Sequence, residues 1–455
     1  MSNYDVLLDA YIKLFKERVA LSERLIKPYL HVFLGQALCN YTRTDSNKKK
    51  EYYFRTSGYY SAIGETIVSN RINIFSYQST GTGKGIVMKF NRTLFDAYGI
   101  SSIYADSSVS SQWLKGGNDT QSKQTKWIDG TLQGYHCVMW SEGENIVQPN
   151  KQEYGDFGTT LRSVLDEPGE YSFGTRKDLN KDGTSPIFYT NASICSAAII
   201  NQTTLNNSIL SNGTLQRFLL TYNLLSKEES AKLRDEIDNR DATTKYYNEK
   251  EEELKKFCDI AKGIITPLKN KNDHWNKIGF NLSIMKDYSR GRREIEDKIL
   301  EQFPDGEKQN LMQGFFNRNI MYDKKIASQV AIINGCSEIG LDELKIGTEI
   351  AIKGMDAISS LFTKKYLPSL DKDDAVRLLI IYNAIELITQ EGKVPTQSRL
   401  VFALLNLFKK DWDLGENRTK DFLTDLVAGK YLILKKGERN ANIYQVPLTA
   451  ANNPS

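Results

Sequence analysis

Residues 78–85 read Gln78-Ser79-Thr80-Gly81-Thr82-Gly83-Lys84-Gly85, and this stretch decides how the chain is understood. It follows an apolar, strand-like run, Ile72-Asn73-Ile74-Phe75-Ser76-Tyr77, and opens a helix-like one from Ile86 to Ala97. A strand, a glycine-rich turn ending in lysine, then a helix is the arrangement that cradles nucleotide phosphates. Backbone N–H groups and the positive helix end face the anion, and the lysine ammonium reaches the terminal phosphates. Ser79 through Gly85 are therefore the candidate phosphate-binding residues, with ATP and Mg2+ the expected ligands. Two positions depart from the full pattern (GxxxxGK[ST]). Gln78 stands where the first glycine belongs, and Gly85 stands where a Ser or Thr would ligate Mg2+. Taken alone, Gly-Thr-Gly-Lys also reads as a flexible turn; its flanks favour the phosphate reading.

Such a loop needs one carboxylate for the metal and another to polarise the attacking water. About fifty residues on lies Tyr135-His136-Cys137-Val138-Met139-Trp140-Ser141-Glu142-Gly143-Glu144-Asn145. A buried apolar strand that delivers acids at its carboxyl end suits this role, because ligands of parallel sheets bind at that end. Glu142 is the preferred metal or water-orienting carboxylate and Glu144 the second; an acidic loop capping a helix is the plainer alternative. Asp106, after Ile103-Tyr104-Ala105, is a third candidate acid, and equally a residue that caps a turn. Mg2+ keeps several waters and needs only one or two protein oxygens, so acids of this kind suffice where position 85 lacks a hydroxyl. Asn191, after the apolar run Ile187-Phe188-Tyr189-Thr190, reads as a γ-phosphate sensor or as a turn residue. Arg217, ahead of Phe218-Leu219-Leu220, reads as an arginine finger reaching a neighbouring subunit or as a structural ion-pair partner.

At 455 residues the chain exceeds one core, and several domains are expected. The net charge of +4 permits local nucleic-acid contacts without demanding them. Five cysteines stand singly and three histidines far apart, which argues against a disulfide framework, a zinc site or a histidine metal cluster. No apolar run reaches 18 residues and no cleavable signal pattern opens the chain, so a cytoplasmic protein without membrane contact is expected. The expected division is an N-terminal helical segment (1–58), an α/β core (59–225), a helical domain (226–370) and a C-terminal unit (371–455). Helical periodicity covers 4–27, with Pro28 expected to end or kink that helix. Core strands are expected at 72–77, 101–105, 134–140, 171–175, 186–191 and 217–222. Later helices are expected at 286–303, 307–318, 322–334 and 341–362.

The C-terminal unit resembles a winged helix: apolar helices at 375–390, 400–408 and 417–428, then two β runs within 431–446 joined through a polar, glycine-containing tip. Lys435, Lys436 and Arg439 on that wing, with Arg418 and Lys420 on the third helix, suit phosphate contacts; a protein-contacting winged helix is the alternative. Between the acidic strand and the sensor run, 169–183 reads as a hairpin presenting Arg176, Lys177 and Lys181 to single-stranded nucleic acid, or as a solvated turn. Asp178, Asn180, Asp182 and Gly183 match half of a calcium loop. Tyr189 stands where the bidentate Glu belongs, so an Asp-Gly turn explains these residues more simply.

The order of these segments resembles phage- and plasmid-encoded helicase-like P-loop ATPases with a RecA/AAA-like core, a group often encoded with or fused to primases. The segments are the GTGKG loop, the Ser-Glu-Gly-Glu strand end, the Tyr-Ser-Phe-Gly-Thr-Arg-Lys hairpin, Thr190-Asn191-Ala192-Ser193 and Gly213-Thr214-Leu215-Gln216-Arg217. Arg318-Asn319-Ile320-Met321-Tyr322-Asp323-Lys324-Lys325 looks like the helix that follows the core in that group, so the resemblance spans roughly 60–365. It implies ATP hydrolysis in a homo-oligomeric ring such as a hexamer, coupled to movement on single-stranded or forked DNA beside a primase or other replication proteins. The rival expectations are a non-catalytic DNA-binding replication or partition factor with a degenerate nucleotide site, and a defence or packaging NTPase.

Overall fold

The apolar runs and the glycine-rich turns between them build an α/β molecule, seen here in a computed structural model. The structure describes residues 1–18, 23–38, 55–61, 64–78, 84–105, 113–114, 116–118, 127–141, 143, 161–162, 164–165, 169–172, 187–190, 192–199, 213–223, 228, 231, 235, 244–269, 277–301, 306–363, 372–409, 412–428, 431–437 and 441–446. Two compact units result, Met1–Ser360 and Leu361–Ser455.

The first unit opens with helices α1 (Asn3–Arg18) and α2 (Glu23–Ala37) and a hairpin of β1 (Arg55–Ser61) and β2 (Gly64–Ser69). Strand β3 (Ile74–Gln78) precedes helix α3 (Lys84–Tyr98) and strand β4 (Ser102–Ala105). A small antiparallel pair, β5 (Gly116–Asn118) with β6 (Trp127–Asp129), and one helical turn, α4 (Thr131–Gly134), lead into β7 (Cys137–Trp140). A second antiparallel pair, β8 (Gly169–Ser172) with β9 (Ile187–Thr190), precedes β10 (Ser193–Ile199) and β11 (Leu219–Asn223). The remainder is α5 (Thr244–Lys269), β12 (Lys277–Phe280), α6 (Met285–Leu300), α7 (Gly306–Ile333), β13 (Glu338–Ile339) and α8 (Leu341–Thr363).

The central sheet has five strands in the order β11-β3-β10-β7-β4, all parallel. A parallel strand covered on both faces must be apolar or small throughout. All of β3 is buried, and the interior strand β10 carries Ser193, Ile194, Cys195, Ser196, Ala197 and Ala198, all buried. One face of the sheet, through Ile74, Cys137, Met139, Cys195, Ala197 and Leu219, shares a core with α1, α2, α3, α5 and α7. Helix α3 follows the 3.6-residue rule: Val87, Met88, Asn91, Leu94 and Phe95 are buried. Its one polar core residue is satisfied, since Asn91 Oδ1 accepts from the Tyr11 hydroxyl at 2.7 Å and its amide donates to the Val87 carbonyl at 2.9 Å. Phe33 packs edge-on to Phe95 and Tyr98, and tilts against Phe257 of α5. A separate four-strand sheet, β13-β12-β1-β2, joins the N-terminal hairpin to the helical region.

Three expectations are corrected. Pro28 does not end a helix but lies inside α2, where Leu25, Ile26, Tyr29, Leu30, Val32, Phe33 and Leu34 are fully buried and packing outweighs the lost N–H. The helices expected at 307–318 and 322–334 are one, α7, because nothing between them breaks the backbone. The run expected at 186–191 is β9, outside the central sheet, and the strand beside β3 is β10.

The second unit holds α9 (Lys372–Gln390), α10 (Gln397–Asn406) and α11 (Glu416–Ala428), followed by an antiparallel pair, β14 (Ile433–Lys436) with β15 (Asn442–Gln445). A bridge from Thr396 to Ile443 ties the start of α10 to the hairpin. Ile381, Leu400, Leu404, Leu423, Leu432 and Tyr444 are core, and buried Trp412 donates its indole N–H to the Thr419 hydroxyl at 2.9 Å.

Candidate functional site

Because the five strands run the same way, the segments after β3, β10, β7 and β4 all emerge at one edge of the sheet. Gln78 ends β3 opposite Ile199 of β10, and Trp140 ends β7 opposite Ser196. That edge is where an open parallel sheet binds ligands. Residues 79–83, which lead from β3 to α3, lie outside the described residues, and Lys84 is the first residue of α3. The strand and helix on either side of the glycine-rich turn are thus as the sequence implies, and α3 presents its N-terminus, with its free backbone N–H groups, at this edge.

Gly85 is pressed against β4. A Cβ there would meet the Tyr104 hydroxyl at 3.0 Å, closer than a side chain normally tolerates. The Tyr104 ring also lies under the ammonium of Lys89, 5.2 Å from its centroid, one helical turn beyond Gly85. Tyr104 was not singled out in the sequence; only its place two residues before Asp106 hinted at it.

Ser141 and Gly143 carry the chain away from β7. The Ser141 amide donates to the Ala105 carbonyl at 3.0 Å, joining the ends of β7 and β4. The Gly143 amide donates to the Ala197 carbonyl at 2.7 Å, which turns the chain back over β10. A Cβ on Gly143 would lie 2.2 Å from Ser196 Oγ and 3.1 Å from Phe75 Cε2, so only glycine fits between β10 and the ring from β3. Glu142 and Glu144, its neighbours in sequence, lie outside the described residues, as does Asp106 after β4.

Asn191 also lies outside the described residues; Ala192 and Ser193 after it stand at the amino end of β10, where the Ser193 amide donates to the His136 carbonyl at 2.9 Å. The carboxyl end of β10, beside the turn, is Ile199, and the next residues in sequence are Ile200, Asn201 and Gln202. Arg217 precedes β11, at the edge opposite the glycine-rich turn. Its guanidinium donates to the Gly213 carbonyl at 2.7 Å, and its carbonyl accepts from the Tyr322 hydroxyl. A cavity of about 140 Å3 there is lined by Leu165, Gln216, Arg217, Arg318, Met321, Tyr322 and Lys325, which brings Arg217 together with the 318–325 segment.

Within the second unit, Lys435 and Lys436 are exposed on β14, and the Lys436 ammonium donates to Asn442 Oδ1 at 2.7 Å. On α11, Arg418 is exposed and Lys420 pairs with Glu416 at 2.5 Å. Arg176, Lys177, Lys181 and Arg439 lie outside the described residues. Among the described residues no group of His, Cys, Asp and Glu is placed to hold a metal, and no helix is long and apolar enough to cross a membrane. A scan of protein-family models matches none of them over this chain, and no curated protein matches its sequence.

Proposed function

We propose that the chain is an ATP-dependent nucleic-acid motor with a RecA/AAA-like core, acting as an oligomeric DNA helicase or translocase. One observation carries this reading: β10 lies between the strand that precedes the glycine-rich turn and the strand that precedes the acids. That separates the tips of β3 and β7 by two strand spacings, ~10 Å. A terminal phosphate, a cation and a water need about that room between a lysine loop on one side and carboxylates on the other.

The residues suit the ligand. Glycines at 81, 83 and 85 let backbone approach phosphate, and a cation that keeps most of its waters needs no protein cage. In this reading Ser79 to Gly85 hold the phosphates and Lys84 neutralises the β and γ oxygens. Glu142, with Glu144 or Asp106, faces the cation and the attacking water, held in place by the anchored Gly143. Bound ATP with Mg2+ supplies the phosphoryl group whose cleavage drives movement. The phosphate-sensing amide, which the sequence pattern gives to Asn191, falls better on Asn201 in this reading, because β10 ends at Ile199. Arg217, at the far edge of its own sheet, serves a neighbouring copy in a ring. The second unit reads as a winged helix whose basic strand and tip, Lys435, Lys436 and Arg439, meet DNA phosphates. Its third helix is the poorer candidate, since Arg418 and Lys420 share it with Glu416, Asp421 and Asp425. Arg176, Lys177 and Lys181 contact the single strand in the motor.

The absence of a hydroxyl at position 85 favours a second reading, a DNA-binding replication factor with a degenerate nucleotide site. Phosphate release from Mg2+-ATP with and without single-stranded DNA separates the two. The motor reading expects release that rises with DNA; no release in either condition leaves the second reading.

A further inference from the structure

We propose that the Tyr104 hydroxyl takes the place of the Ser or Thr hydroxyl missing at position 85 and orders the water shell of the nucleotide-bound divalent cation. The proposal rests on the nucleotide reading above. In the full loop pattern the residue after the lysine directs a hydroxyl at the cation. Here that residue is Gly85, and the oxygen its Cβ would meet, at 3.0 Å, is the Tyr104 hydroxyl. The phenol oxygen of β4 thus lies within reach of the space that a serine side chain at 85 would occupy.

The tyrosine is held for this. Tyr104 pairs with Met139 of β7 in the sheet register, and its ring packs against the core shared with α3. Lys89 caps the ring at 5.2 Å from the helix side, so the ring spans from β4 to the first turns of α3. Among the described residues the hydroxyl has no hydrogen-bond partner, which leaves it able to donate or accept at the start of α3. Mg2+ gives up its waters reluctantly and is often held through them, which suits a neutral phenol better than a direct bond would. Gly85 and Tyr104 then form a matched pair. A side chain at 85 would displace the phenol, and the phenol makes a hydroxyl at 85 unnecessary.

The test is equilibrium binding of a fluorescent ATP analogue, with excess Mg2+ and with EDTA, to the full chain and three variants. Tyr104→Phe keeps the ring and its lysine contact and removes only the oxygen. Its affinity in EDTA is expected to be unchanged, and the gain in affinity that Mg2+ confers is expected to fall about tenfold. Gly85→Ser alone, crowded by the phenol, is expected to lose a similar gain. Gly85→Ser with Tyr104→Phe rebuilds the usual pattern and is expected to recover most of it. An unchanged Mg2+ gain in Tyr104→Phe, or no recovery in the double variant, overturns the role of Tyr104 and leaves nucleotide binding intact. No saturable binding by the unaltered protein, with or without Mg2+, overturns the nucleotide reading itself.

Discussion

The amide of Gly143 donates to the carbonyl of Ala197 at 2.7 Å, and this bond folds the chain after β7 across the central strand toward the ring of Phe75. The residues on either side of Gly143 in sequence are the two glutamates of the candidate site. Gly143→Ala puts a methyl against Ser196 Oγ and Phe75, and overpacking of this kind costs about 1–3 kcal/mol. In the motor reading the shifted acids lower ATP hydrolysis about a hundredfold while nucleotide affinity changes little. Steady-state hydrolysis beside equilibrium binding checks this; equal losses in both would mean the turn supports the fold alone.

A second prediction concerns acid. His31 is fully buried between the Tyr4 hydroxyl at 3.0 Å and Gln329 Oε1 at 2.7 Å, and burial lowers its pKa from 6.5 to about 4. The unfolded chain therefore takes up a proton near pH 6.5 that the folded chain refuses until about pH 4. Stability from this group is complete above pH 6.5 and is lost as pH falls through that window, by at most about 3 kcal/mol. His31→Gln is expected to flatten the dependence of Tm on pH between 6.5 and 4 by roughly one proton. The same slope in both proteins would refute the assignment.

Asp323 is fully buried and accepts from Arg292, from the Tyr288 hydroxyl at 3.0 Å and from the Thr348 hydroxyl at 2.8 Å, tying α6, α7 and α8 together. Removing Asp323 leaves the buried Arg292 guanidinium with only Glu296, 2.7 Å away, to offset its charge. Asp323→Ala is expected to cost about 3–5 kcal/mol in denaturant unfolding, with nucleotide affinity unchanged while the protein is folded. A loss below about 1 kcal/mol would mean that water reaches the guanidinium.

The hairpin of β14 and β15 makes a salt-dependent prediction. Lys435→Ala and Arg439→Ala are each expected to weaken duplex binding alike for all sequences and to reduce the slope of log affinity against log salt by about one. Unchanged binding would assign the hairpin to protein contacts.

The turn's flanks were legible because two different periods meet there: the buried run of β3 and the 3.6-residue face of α3. The strands β4, β7 and β11 were legible for the same reason. The central strand β10 was not. Squeezed between β3 and β7, it carries Ser, Ala and Cys, which lack the β-branched and aromatic side chains that mark a strand. The run just before it in sequence, β9, is rich in such residues and drew the reading instead. The joining of β1 to β12 in the second sheet was also illegible, because the partners lie more than two hundred residues apart, as Arg55 and Lys277 do. Pro28 misled because local propensity yields to a helix face that is buried throughout. Tyr104 belongs to the same class, since its approach to Gly85 is made by the sheet and not by spacing.

The central claim is that the turn ahead of α3 holds a nucleoside triphosphate through Lys84. Its most direct test is equilibrium binding of a fluorescent ATP analogue with Mg2+ to the unaltered protein and to Lys84→Ala, with unfolding curves as the control for folding. Saturable binding that weakens at least about tenfold in the folded variant is the predicted result. No binding by the unaltered protein, or equal affinity in both, would contradict it.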